Sequence, residues 1–221
     1  MLRDGGLENY ELKGDLDIRV NDADCSKVKL ELAPADFADV QFKQHPKFVK
    51  FGAGPKVIAL KNDSQGFPVN QNLGVLKWRM NTKDESHVPL TVTVWPQPNG
   101  GQSDVAVEYE LEAQHLTLKN VVISIPIPPG ALPVVSDEDA QWTADRGFFQ
   151  WTIDTVDADA PSGSLEFRCD GDADTFFPTN VGFAASGSLA GVDVQSARLA
   201  DGSEAPLSQE KIITVDKYEI V

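Results

Sequence analysis

The chain is poor in positive charge: 19 lysines and arginines stand against 34 aspartates and glutamates, for a formal charge of −15. Such a chain repels nucleic acid and anionic lipid unless a local basic patch overrides the field. The densest basic string is Lys43, Lys47, Lys50 and Lys56, interleaved with apolar residues and read as a solvated loop face, so nucleic-acid binding is excluded. Cysteine is also scarce. Cys25 and Cys169 lie far apart and form no CxxC pair, which suits two small buried thiols in a reducing compartment. No run approaches the roughly 18 apolar residues of a membrane span. No signal-peptide pattern opens the chain. The three histidines, His45, His87 and His115, stand at no metal-ligand spacing. There is no GxSxG, HExxH or glycine-rich phosphate loop. No local motif marks a metal, cofactor or nucleophile site, although the members of a catalytic triad need not be adjacent in sequence, and the expectation is no cofactor and no metal.

What is present is alternation. Val105, Val107, Tyr109 and Leu111 alternate with Ala106, Glu108, Glu110 and Glu112. Leu76, Trp78 and Met80 alternate with Lys77 and Arg79, and Leu90, Val92 and Val94 with Thr91, Thr93 and Trp95. A period of two places apolar side chains on one face of a half-buried antiparallel sheet. Similar runs at Leu12–Val20, Val28–Leu32, Val121–Ile127, Leu165–Cys169, Val181–Ala185 and Val192–Leu199 complete an all-β chain. Asp145-Arg146-Gly147 reads as a hairpin turn, as does Asn99-Gly100-Gly101, where a domain boundary is placed. Residues 34 to 56, broken by Pro34, Pro46, Gly52, Gly54 and Pro55, read as irregular. Asp4-Gly5-Gly6 is a turn signal with only three residues before it, so further chain is expected upstream.

Two constellations draw attention. Asp170-Gly171-Asp172-Ala173-Asp174 alternates carboxylates as a calcium loop does, but Thr175 and Val181 occupy the positions where an EF-hand needs Gly and Glu. An acidic connector is the preferred reading. A calcium-dependent lectin or β-sandwich hydrolase built on those aspartates is the competing class. The second is Trp95, which shares the polar parity of Thr91 and Thr93. With Lys77 and Arg79 it can form a peptide-binding surface, since aromatic residues and arginine anchor interfaces. The preferred reading is that Trp95, next to Pro96, covers a sandwich end or packs on the neighbouring unit.

Gly74-Val75-Leu76-Lys77-Trp78-Arg79-Met80, Val107-Glu108-Tyr109-Glu110-Leu111, Ile123-Ser124-Ile125-Pro126-Ile127-Pro128, Ser162-Gly163-Ser164-Leu165-Glu166-Phe167 and Val215-Asp216-Lys217-Tyr218-Glu219-Ile220 resemble, in this order, the mu-homology domains of coatomer (COPI) delta subunits. These are relatives of clathrin-adaptor medium subunits. The resemblance implies two elongated antiparallel β-sandwich subdomains, the second inserted into the first: 1–99 with 179–221, and 100–178. It implies a non-enzymatic, cytoplasmic coat component, peripheral on Golgi membranes and COPI vesicles in retrograde transport. The implied partners are other coatomer subunits, tryptophan-containing peptides of tethering factors and ArfGAPs, and an Arf-family GTPase through the whole coat. Membrane association is then indirect. A purely structural coat-assembly domain is the alternative. By position Arg19 and Lys217 stand for the basic residues of the adaptors' tyrosine-signal site, but Val215 occupies its tryptophan place. The expected peptide site is instead Lys77, Arg79, Thr93 and Trp95, on two strands taken as paired.

Overall fold

A computed structural model describes residues 1–221. Sixteen strands follow one another: β1 (Tyr10–Arg19), β2 (Lys29–Leu32), β3 (Val40–Gln44), β4 (Val57–Ile58), β5 (Asn72–Thr82), β6 (Leu90–Asn99), β7 (Gln102–Leu111), β8 (Leu118–Pro126), β9 (Val134–Val135), β10 (Trp142–Asp145), β11 (Phe148–Val156), β12 (Ser162–Asp170), β13 (Thr179–Ser186), β14 (Val194–Arg198), β15 (Ile212–Thr214) and β16 (Glu219–Ile220). All these strands pair antiparallel, and only three short 3-10 turns interrupt them. The alternation read from the sequence is thus an all-β fold.

The chain divides into two compact units. The smaller holds Tyr10–Thr82 and Ser188–Glu210; the larger holds Met1–Asn9, Lys83–Gly187 and Lys211–Val221. These limits differ from the boundaries expected at 99/100 and 178/179, and the reason is local. The Asn99-Gly100-Gly101 turn closes a hairpin in which β6 and β7 pair along their whole length, Leu90 opposite Leu111 and Asn99 opposite Gln102. Gly100 and Gly101 both take positive φ, the backbone a tight hairpin needs. Such a turn joins two strands of one sheet and cannot separate domains. At the other limit, β13 pairs with β8, which keeps residues on both sides of 178 in one unit.

In the smaller unit one sheet has the order β1-β5-β3 and the other β14-β2-β4. Their facing sides bury Leu30, Leu32, Phe48, Ile58, Phe67, Val75 and Leu76, with Trp78 and Phe42 packed at the margin. The cross-strand rows Leu12–Met80–Val40 and Gly14–Trp78–Phe42 point inward; Lys13–Arg79–Gln41 and Asp15–Lys77–Lys43 point outward. At Gly14 the absent side chain is filled by the Trp78 indole, whose ring atoms lie where a β-carbon would sit. Strand β3 emerges inside the stretch read as irregular. Its short Val-Gln-Phe-Lys-Gln alternation was overshadowed by the flanking prolines and glycines.

In the larger unit the sheet β6-β7-β12-β9 faces the sheet β10-β11-β8-β13-β15, with β16 also on β13. Phe149 of β11 stacks on Phe167 of β12, ring centroids 4.2 Å apart, so the two sheets interlock through a dry aromatic centre. Complete burial of such side chains contributes about 1.5–3 kcal/mol each. The turn read at Asp145-Arg146-Gly147 links β10 to β11, with Arg146 and Gly147 at positive φ. Residues before the Asp4-Gly5-Gly6 turn pair with the C-terminal strand: the Arg3 amide donates to the Val221 carbonyl at 2.8 Å.

Candidate peptide-binding surfaces

Strand β5 places Lys77 and Arg79 on the outward face of the smaller unit's three-stranded sheet, as the parity predicts. They do not form one paired platform with Thr93 and Trp95. Strand β5 pairs only with β1 and β3, and β6 pairs with β7 in the larger unit. The expected pairing of β5 with β6 is corrected, because consecutive strands joined at 82–83 belong to different sandwiches. Trp95 does point outward and is 49% exposed. Its cross-strand row runs to Ala106 and Glu166, and Thr93 faces Glu108. That face is acidic, which disfavours a carboxylate-bearing ligand. Arg19 and Lys217 also fall in different units. Arg19 Nε donates to Asn21 Oδ1 at 3.0 Å, and Lys217 pairs with Glu219 at 2.8 Å.

The Lys77 and Arg79 face is basic in an acidic chain. Arg79 and Lys13 both bind the Glu11 carboxylate. The hydrogen bond from Lys13, aided by the charges of Arg79 and Lys13, holds that carboxyl below its usual value. Lys77 and Lys43 sit directly opposite each other across β5 and β3, both exposed. Neither makes an ion pair, although Asp15 faces Lys77 from β1. Like charges directly opposite one another destabilise a sheet.

Beneath the same edge lies a feature the sequence reading missed. A cleft of about 590 Å³ opens where β3, the end of β2 and the 53–56 loop meet. Phe37 and Phe42 line it and meet edge to face at 5.2 Å; Phe51 packs edge to face on Phe42 at 5.4 Å without lining the cleft. All three are only half-buried. Lys56 lies 5.8 Å from the Phe51 ring centre while its Nζ donates to the Gly52 carbonyl. Gln44 fixes the Phe51 loop, accepting from the Phe51 amide and donating to the Val49 carbonyl, both at 2.7 Å. Pro34 and Pro55 explain the opening, since proline interrupts ladder pairing and leaves β4 only two residues long. One signal was available: residues 40 to 62 carry five lysines and no carboxylate.

The aspartate constellation has ordinary structural work. Asp172 Oδ1 caps a 3-10 turn, accepting from the Thr175 amide at 3.1 Å and hydroxyl at 2.9 Å. Asp174 pairs with Arg3 at 2.6 Å, and Asp170 accepts from Gln102. No group of three or more His, Cys, Asp or Glu side chains is placed to hold a metal. No helix is long and apolar enough to cross a membrane.

The sequence matches the adaptor complexes medium subunit family over residues 1–221, and the chain belongs to that family. Within it, the likeness is to coatomer delta. Coatomer subunit delta-1 of Oryza sativa subsp. japonica is 36% identical over 99% of this chain, which spans 43% of the rice protein's length. The yeast delta-COP-I mu-homology domain superposes with a TM-score of 0.88 at 31% identity, covering 100% of this chain and 92% of the yeast one. The same yeast domain complexed with a Dsl1 WxWxV peptide gives 0.85 at 30% identity, covering 100% and 93%. The fold is that of the delta-COP mu-homology domain.

Proposed function

We propose that this chain is a peptide-reading domain of a COPI coat, recognising short acidic peptides that carry tryptophan. The observation that carries the reading is the yeast delta-COP-I domain, similar over its whole length, solved with a Dsl1 WxWxV peptide. Lys77 and Arg79 supply the charge that carboxylates beside the tryptophans require, on a face where positive residues outnumber negative ones. In the cell the domain acts in the cytoplasm, on coats peripheral to Golgi membranes in retrograde transport. There it joins other coatomer subunits to tethering factors and ArfGAPs under an Arf-family GTPase. A single short peptide binds in the micromolar range, about −8 kcal/mol, and the assembled coat adds avidity. Calorimetric titration with an acidic WxWxV peptide is the test. Micromolar binding weakened about tenfold by Lys77→Glu/Arg79→Glu is expected; no heat at millimolar peptide refutes the role.

A second surface favours contact with another coat subunit. On the larger unit Leu132 is 87% and Val134 70% exposed, next in sequence to Asp137-Glu138-Asp139. Two large apolar side chains exposed two residues apart form a small apolar patch, the kind of surface a partner buries. If Leu132→Asp/Val134→Asp leaves coat incorporation unchanged, that second contact is ruled out.

A further inference from the structure

We propose that the outward face of the larger unit's β6-β7-β12-β9 sheet docks an arginine-bearing basic segment of a partner protein. The segment lies extended along β7, one guanidinium stacked on Trp95 and others over Glu108, Glu110 and Glu166. The inference is independent of the peptide-reading role above, which concerns acidic ligands and the smaller unit.

The register fixes which side chains share this face. Trp95, Ala106 and Glu166 form one cross-strand row, Thr93, Glu108 and Ser164 the next, and Thr91, Glu110 and Ser162 the third. On the other side of the tryptophan row stand Gln97, Asp104 and Arg168. Arg168 is the single cation of these rows, and Asp104 holds it at 2.6 Å. Glu108, Glu110 and Glu166 have no basic side chain bonded to them. Between Trp95 and Glu166, whose strands lie roughly 9–10 Å apart, Ala106 contributes only a methyl group. The result is a shallow trough with an indole on one side and a carboxylate on the other.

Trp95 is what points to a guest. A solvated acidic face needs no tryptophan, yet this one stands 49% exposed among carboxylates. Its strand ends the sheet, and Pro96 and Pro98 remove amide donors from that edge, which blocks addition of a further strand there. A guest therefore lies over the face and not beside it.

The chemistry of the face selects the guest. Nucleic acid and anionic lipid are repelled by it, and no group of carboxylates is placed to hold a metal ion. Arginine answers each feature. A guanidinium stacks on an indole and pairs with a carboxylate through two hydrogen bonds, which a lysine ammonium cannot do. Alternate side chains of an extended chain stand roughly 6.6–6.8 Å apart, the interval that separates Glu108 from Glu110 on β7. Cations at that spacing also relieve the repulsion among neighbouring carboxylates of the sheet.

The test titrates the 221-residue chain with acetylated, amidated Arg-Ser-Arg-Ser-Arg and its lysine counterpart, read by amide NMR shifts and calorimetry. Shifts clustered at Trp95, Ala106 and Glu166 are expected, with the arginine peptide at least threefold tighter. Trp95→Ala should erase that preference. Glu108→Gln/Glu166→Gln should weaken both peptides at least tenfold, whereas Asp15→Asn/Asp17→Asn, which removes the same charge from the smaller unit, should leave them unchanged. Trp95→Ala should also leave acidic WxWxV binding unaltered; a loss there assigns Trp95 to that peptide and overturns the proposal. So does the absence of binding at millimolar arginine peptide, an equal effect of the two charge variants, or an arginine preference that survives Trp95→Ala.

Discussion

Gly14→Ala tests how the smaller unit closes its sheet. A methyl there would overlap Cζ2 and Cε2 of Trp78, with Nε1 at 2.7 Å, and the two residues are direct cross-strand partners. The backbone of Gly14 is not in the left-handed region, so the cost comes from space alone. The simplest escape swings the indole away. A tryptophan buries roughly 150–250 Å², and losing about half of that for this half-buried ring, at about 25 cal/mol per Å², costs about 2.5 kcal/mol. Alanine returns about 0.5–1 kcal/mol by restricting the unfolded chain. The net loss is about 1.5–2 kcal/mol, a fall of roughly 10 °C in Tm for a unit near one hundred residues. Thermal unfolding followed by tryptophan fluorescence and circular dichroism reads it. The decisive comparison is a double-mutant cycle. In a Trp78→Ala background the clash is gone, and Gly14→Ala should turn neutral or stabilising. An unchanged penalty there would refute the reasoning.

The larger unit repeats the arrangement at Gly163, where a β-carbon would stand 2.7 Å from the Tyr109 hydroxyl, its cross-strand partner. Gly163→Ala should cost about 1–3 kcal/mol by overpacking, largely removed by Tyr109→Ala. The Tyr218 hydroxyl donates to the Leu90 carbonyl at 2.8 Å, and burial pushes the phenol well above its ordinary value. A raised folded-state pKa stabilises fully below the unfolded value and is lost as pH rises through the folded one. Alkaline denaturation curves should therefore bend downward above about pH 10, and Tyr218→Phe should straighten them at a cost near 1 kcal/mol. Raising salt from 0.1 to 1 M shortens the screening length from about 10 to about 3 Å. Acidic-peptide affinity should fall several-fold, while an uncharged analogue stays constant; equal salt responses would show that the lysines do not read the carboxylates.

The fold was legible wherever alternation was local. Val105, Val107 and Leu111 are buried while Glu108 and Glu110 are exposed, and the Asp145-Arg146-Gly147 turn declared its hairpin. Which strands meet is a different kind of information. Register between β5 and β1, some sixty residues apart, leaves no trace in either strand alone, and nearness in sequence made β6 look like the partner of β5. The same limit hid the cleft. Phe37 and Phe42, which line it, come from a loop and an edge strand, and Phe51, whose backbone Gln44 ties down, packs on Phe42 from a second loop. Lys77 and Arg79 were legible as outward-facing because parity alone decides that. Their separation from Thr93 and Trp95 follows from the crossing between sandwiches at 82–83, which no composition shift marks.

An open β-edge beside greasy rings is normally a hazard, since identical molecules can stitch together there into aggregates. Lys43, on that edge, would be brought close to its own counterpart if two copies docked edge to edge. The chain's net charge of −15 adds a general repulsion between copies. Neutralising Lys43 should accordingly show first as clumping on concentration, before any loss of fold.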